Sequence, residues 1–372
     1  MRHAFATSLA LLLFGAAAGP LQAQTWYQMN TPDKVKSGLL AHENAQRKVH
    51  WLQPAKEVRA LPVASANPNA ARLEGEAKTF AKSTFGTVIV ERGEIIFEQY
   101  SQGADAQTLM NAYSVTKSWT ALAVGEAFCA GKIKSLDDLA ATYAPALDGT
   151  AYGQATIRQL LEYVSGAEDP GGTGYVGIHD TRAFNGMVEY KSSLADLAKR
   201  FGGNSRFKPG EKFVYNGMDS NALSLVVRGA TGMSMPAWFE STVWQKAGGE
   251  SPAAWFLDSD GNGIGEILLF ATTRDYARVG LYVLDRLNNQ AGSDCSREFV
   301  QQAAKPLREK AYWKGAPHSG YGLHVGDDGH TWMFGFAGQR VGVQKQLQRV
   351  LATNSDRDLP TTNSGSQGLL SR

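Results

Sequence analysis

Net charge, cysteine and long apolar runs are all scarce in this chain, and each scarcity closes off a class of function. Over 372 residues the formal net charge is +2 with both signs mixed throughout. That leaves no basic stripe for nucleic acid and no acidic tail, so the expected partner is a small molecule. No stretch after the N-terminus approaches the roughly eighteen uninterrupted apolar residues of a membrane helix. His179, His318, His324 and His330 form neither a His-Glu-x-x-His pattern nor a set with cysteine at ligand spacing, so no zinc site is expected. A Gly-x-Ser-x-Gly elbow is missing, which counts against an α/β-hydrolase. The run Asp258-Ser259-Asp260-Gly261-Asn262-Gly263 begins like a calcium loop but has Leu269 where the twelfth position needs a bidentate glutamate, so it reads as an ordinary turn. Only Cys129 and Cys295 are present. An exported location permits one disulfide between them, but Cys129 lies on the apolar side of a core helix, and a buried free thiol is the expectation.

What is present begins with Arg2 and His3, a nearly all-apolar run from Leu9 to Ala18, then Pro20 and Leu21-Gln22-Ala23. This fits a secretory signal peptide over residues 1–23, cleaved after Ala23, and predicts a secreted or periplasmic protein. Residues 24–79, with Pro32, Pro54, Pro62 and Pro68, read as an irregular arm wrapped over a domain. Thr87 to Tyr100 alternates apolar and polar residues around Arg92-Gly93, the signature of a β-hairpin. The middle of the chain is mainly helical in pattern, and short strands resume after Gly320.

Ser114-Val115-Thr116-Lys117 stands where a strand-like stretch gives way to a helical one, with Trp119, Leu122, Ala123, Glu126 and Cys129 at helical spacing and Gly131 as a stop. Three residues apart on a helix, Ser114 and Lys117 share a face, so a lysine amine can activate a serine hydroxyl. The commoner role of serine at such a position is an N-cap, yet a cation in the first turn opposes the helix dipole, a conflict typical of functional sites. A second Ser-x-x-Lys, Ser205 to Lys208, runs into Pro209-Gly210 and reads as chance. Lysine acts as a base only when its ammonium is destabilised, so a third group is needed. The segment from Lys208 to Gly217 offers Tyr215, a candidate general base and acid; a core tyrosine with its hydroxyl at the surface is the competing description.

Taken in order, Ser114-x-x-Lys117, TIRQLLEYVSG from Thr156 to Gly166, Pro209-Gly210 to Tyr215, ATTRDYARVG from Ala271 to Gly280, and Gly335-Phe336-Ala337-Gly338-Gln339 resemble the class C β-lactamase-like serine hydrolases. That superfamily holds β-lactamases, D-alanyl-D-alanine carboxypeptidases, carboxylesterases and 6-aminohexanoate-dimer hydrolases. The resemblance implies Ser114 as acylated nucleophile, Lys117 as its proton partner and Tyr215 as general base and acid. The backbone N–H groups of Ser114 and Phe336 would form the oxyanion hole, and no cofactor or metal would be required. Asn216 and Gly335 are expected to contact substrate, with Glu168, Asp169 and Tyr175 lining its entrance. Two departures stand out. Gly217 replaces the asparagine of the Tyr-x-Asn pattern, and Met333-Phe334-Gly335 occupies the place of Lys-Thr-Gly. Both favour the branch of esterases and 6-aminohexanoate-dimer hydrolases over the lactamases.

The expected fold is therefore α/β in the α+β sense: β-lactamase/transpeptidase-like, an antiparallel sheet flanked by helices with an inserted helical domain. A hydrolase domain over residues 80–345 would contain a helical subdomain near 132–225, followed by a polar tail over 346–372. Relatives end in a strand and an amphipathic helix, whereas Thr353 to Arg372 is polar and aperiodic, so the fold is expected to close differently or to lack that ending. The expected activity is cleavage of a small ester or linear amide through a Ser114 acyl-enzyme. A D-alanyl-D-alanine carboxypeptidase or β-lactamase, and a penicillin-binding-like protein without turnover, stay open, as does the oligomeric state.

Overall fold

A computed structural model describes residues 48–167, 192–203, 205, 207–309, 316–356 and 360–372, the last segment without the side chains of 360–364. The signal-peptide pattern lies outside these residues.

Arg92 and Gly93 both have positive φ, 53° and 86°, the geometry that lets a two-residue turn follow the twist of its strands. The turn joins β2 (Gly86–Glu91) to β3 (Glu94–Tyr100), as the alternation predicts. The remaining long strands come from the far end of the chain: β10 (Thr331–Gly335), β11 (Gln339–Gln344) and β12 (Arg349–Asn354). With β7 (Arg308–Glu309), β8 (His318–Ser319) and β9 (His324–Val325) they form an eight-stranded antiparallel sheet, ordered β3-β2-β12-β11-β10-β9-β8-β7. A second, four-stranded sheet, β1-β5-β6-β4, combines β1 (Val49–Leu52), β4 (Met110–Asn111), β5 (Ala253–Phe256) and β6 (Leu269–Ala271).

Two expectations about the chain's ends are corrected. The arm over 24–79 contains β1 and a 14-residue helix, α1 (Pro68–Ala81). Pro68 stands at its first position, where a missing N–H costs nothing, rather than acting as a breaker. Leu73, Ala77 and Phe80, spaced by four and three, are its buried face. The supposed tail over 346–372 holds β12, paired with β2 from Arg349↔Glu91 to Asn354↔Gly86. It also holds a helix over Pro360–Ser371.

Side chains of β12 alternate between two cores. Leu351 joins Leu73, Phe80, Ile89, Trp332, Leu369 and Leu370 on the face covered by α1 and the C-terminal helix. Val350 packs on the opposite face, where Gly280 of the helix Thr273–Leu287 leaves no room for a Cβ, which would stand 2.5 Å from a Val350 methyl. That second face belongs to the main core, which includes the Ser114 helix, α2 (Val115–Cys129). Among the described residues, the helical region near 132–225 holds one-turn helices, α3 (Leu194–Gly202) and α4 (Gly217–Thr231).

Candidate active site

Helix α2 is held along its whole length. Its side chains from Val115 to Ala127 are all buried. Trp119 stacks on Phe239 with centroids 5.1 Å apart, and Thr120 Oγ1 donates to the Gly265 carbonyl at 2.8 Å. At the far end Glu126 accepts from Tyr282 at 2.6 Å and Ser296 at 2.8 Å. Beside it Cys129 forms a disulfide with Cys295, with Cα atoms 5.6 Å apart. The expected free thiol is thus corrected: Cys129 is half-buried at the end of α2, where the helix beginning at Asp294 presents Cys295.

Ser114 precedes the first residue of α2, yet its side chain caps nothing. Its Oγ instead accepts a hydrogen bond from Lys117 Nζ at 2.9 Å, the juxtaposition that the spacing predicts. The same amine donates to the Glu266 carbonyl at 3.1 Å and lies 5.3 Å from the centroid of the Tyr215 ring. Lys117 is fully enclosed, and this burial lowers its ammonium pKa to about 8, with the Glu266 carboxylate pulling the other way. Tyr113, immediately before Ser114, has φ 45°, a left-handed conformation that non-glycine residues adopt only when their surroundings impose it. The imposing contacts are visible: Tyr113 N donates to Asn111 Oδ1 at 2.9 Å, and Asn111 is locked in the small sheet opposite Phe270.

Tyr215 is buried, in a segment that belongs to neither sheet. Gly210 N donates to the Val164 carbonyl at 2.7 Å and Val214 N to the Tyr163 carbonyl at 2.9 Å, which ties the segment to the stretch after Thr156. The Tyr215 ring packs between Tyr163 at 5.1 Å and His324 at 6.3 Å. The strand end closes the other side. A Cβ on Gly335 would meet the Ala112 carbonyl oxygen at 2.3 Å, so only glycine lets β10 pass this close to the turn carrying Ser114. Phe336 follows, half-exposed, its ring edge-on to Tyr113 at 5.6 Å.

Asn216, expected to contact substrate, is held by hydrogen bonds at both ends of its amide. Its Oδ1 accepts from Met218 N at 2.9 Å as the N-cap of α4, and its Nδ2 donates to Tyr152 at 3.2 Å. Both polar ends serve the scaffold. Glu168, Asp169 and Tyr175 lie outside the described residues. Ser205 and Lys208 of the second motif are both exposed, as a chance match should be. Asp258 accepts from the backbone of Asp260 and Asn262 at 2.9 and 2.7 Å, which makes the calcium-like run a turn. Among the described residues no group of three or more metal-ligating side chains occurs.

The sequence reading missed Glu266 and Asn221. Glu266 is 1 % exposed, and its Oε2 lies 3.9 Å from Lys117 Nζ. Burial pushes its carboxyl up, opposed by Lys117 and by the hydrogen bond from Asn221 at 3.0 Å. Neither residue belongs to a recognisable motif, and only the fold brings them to Lys117.

The family model described as Beta-lactamase matches residues 78–363. A 6-aminohexanoate-dimer hydrolase of Paenarthrobacter ureafaciens is 23 % identical, over 94 % of this chain and 91 % of that one. Among solved structures, one from Bacillus anthracis, described provisionally as a 6-aminohexanoate-dimer hydrolase, superposes with a TM-score of 0.71 at 18 % identity, covering 91 % of this chain and 92 % of the other. Another, EstCE1, described as a hydrolase with promiscuous acyltransferase activity, gives 0.63 at 15 % identity, over 81 % of this chain and 96 % of the other.

Proposed function

The chain belongs to the beta-lactamase family, and from that premise we propose that it is a serine hydrolase of small esters or linear amides acting through a Ser114 acyl-enzyme. The observation that carries this reading is the 2.9 Å contact between Ser114 Oγ and a buried amine whose pKa is lowered to about 8. Near neutral pH part of the population holds Lys117 uncharged, ready with Tyr215 to take the Ser114 proton as the hydroxyl oxygen attacks a carbonyl carbon. The oxyanion that forms is held by the backbone N–H groups of Ser114 and Phe336, and the proton is returned to the leaving alcohol or amine. Water then attacks the acyl-enzyme by the same proton route in reverse, which regenerates Ser114.

The choice within the family rests on two absences. Gly217 has no side chain to hold a lactam's side-chain amide, and Met333-Phe334-Gly335 offers neither hydroxyl nor cation for its carboxylate. A site that leaves those groups unpaired forfeits the binding energy that orients a lactam, whereas an acyl chain needs apolar wall and an oxyanion hole. The 6-aminohexanoate-dimer hydrolase likeness adds linear amides to the substrates worth testing. Export is part of the proposal: the Cys129–Cys295 disulfide suits an oxidising compartment.

Steady-state kinetics on p-nitrophenyl butyrate and nitrocefin under identical conditions test it. The ester is expected to give the higher kcat/KM, Ser114→Ala to abolish its hydrolysis and Ser205→Ala to leave it intact, with a covalent fluorophosphonate adduct found on the Ser114 peptide. A higher kcat/KM for nitrocefin overturns the branch assignment, and undiminished activity in Ser114→Ala overturns the mechanism.

A further inference from the structure

A carboxylate shares the deepest part of the site. Glu266 Oε1 is engaged by Asn221 Nδ2 at 3.0 Å, while Oε2 accepts no hydrogen bond from the described residues and faces Lys117 Nζ at 3.9 Å. That separation is too long for a hydrogen bond but close enough for a strong charge interaction where water is excluded. The loop that delivers Glu266 is pinned on both sides: Gly265 N donates to Asn221 Oδ1 at 2.9 Å, and its carbonyl accepts from Thr120 of α2. Among the described residues Glu266 is the only acid within 4.0 Å of the Lys117 amine. The other titratable group beside the amine is Tyr215, whose ring packs against Tyr163 and His324.

We propose that Glu266 is a positioning residue that sets the proton count of the Ser114–Lys117–Tyr215 group, acting on the reaction through Lys117. The proposal rests on the serine-hydrolase reading above. When the Ser114 proton moves onto the Lys117–Tyr215 pair, the pair gains one positive charge in a dry pocket. An ionised Glu266 offsets it, and when the proton passes to the leaving group the original charge state returns. Burial alone would make the amine too weak a base to hold that proton, and the carboxylate opposes burial.

Glu266→Gln keeps the shape and the Asn221 contact but removes the charge. Loss of a neighbouring carboxylate lowers the pKa of any base beside it, amine or phenol alike. The acid limb of kcat/KM, and of the rate of Ser114 labelling by a fluorophosphonate, is therefore expected to move down by about one to three pH units. Glu266→Asp, which restores the charge, should bring the limb back toward the wild-type position. Glu266→Met carries the same expectation as the Gln variant if the latter fails to fold. An unmoved limb in a folded, uncharged variant overturns the proposal. So does loss of fold in both the Gln and Met chains, which would make Glu266 a part of the scaffold. Absence of Ser114 labelling in the wild-type protein overturns the hydrolase reading itself, whereas normal wild-type labelling with an unmoved limb overturns this proposal alone.

Discussion

The lowered pKa of the Lys117 ammonium follows from where its side chain ends. An amine that titrates near 10.4 in water is brought to about 8 by enclosure, so hydrolysis should rise with pH through that region as the neutral form accumulates. In the proposed mechanism Tyr215 is the second proton site, its ring beside the amine. Tyr215→Phe is expected to keep the fold by circular dichroism and lower kcat by about a hundredfold to ten-thousandfold, the usual contribution of one acid-base group. Loss of the fold would instead mark Tyr215 as a core tyrosine. Ser114 and Lys117 were legible from sequence because helical spacing alone puts them together. Glu266 was not, since 149 residues of chain separate it from Lys117, and no local pattern encodes a contact of that range. The capping role of Asn216, by contrast, is local. Its immediate neighbours already claim it, because an asparagine directly before Gly217 begins a helix and caps it.

At the scale of elements, the hairpin around Arg92-Gly93, helix α2 and the late strands follow their sequence patterns. The two helices on the outer face of the large sheet do not. The C-terminal helix, PTTNSGSQGLLS, has only Leu369 and Leu370 to bury, too few for a helical stripe to register. Tertiary contacts supply what periodicity lacks: buried Arg349 pairs with Glu91 at 2.8 Å and donates to the Leu369 carbonyl at 2.9 Å, near the helix end. Deleting residues 357–372 should therefore uncover Ile89, Trp332 and Leu351 and strip Arg349 of that acceptor. Two leucines at about 1.5–3 kcal/mol each predict a loss of about 3–6 kcal/mol, measurable by urea denaturation, with increased dye binding to the bared face. Unchanged stability would mean that the helix is not held there in solution.

Across the whole molecule the candidate site is assembled from segments as distant as Ser114 and Phe336, and one covalent link, spanning 166 residues, ties the Ser114 helix to a later one. Closing so long a loop is worth about 5 kcal/mol by chain entropy, and losses of about 2–5 kcal/mol are typical when a native disulfide is removed. Cys129→Ser is expected to lower the melting temperature in that proportion, and thiol titration of the unreduced protein should find no free cysteine. A free thiol in protein recovered from an oxidising compartment would contradict the pairing. The strand beside Ser114 bears on how the chain could evolve. Met333 occupies the place of the lysine in the lactamase triplet, and it is 0 % exposed within the main core. A lysine introduced there by mutation would carry its ammonium into packed apolar side chains, at a cost of several kcal/mol before any lactam is bound. On the proposed reading, selection for cephalosporin hydrolysis would have to remodel the core around Met333 before a lysine could be accommodated there.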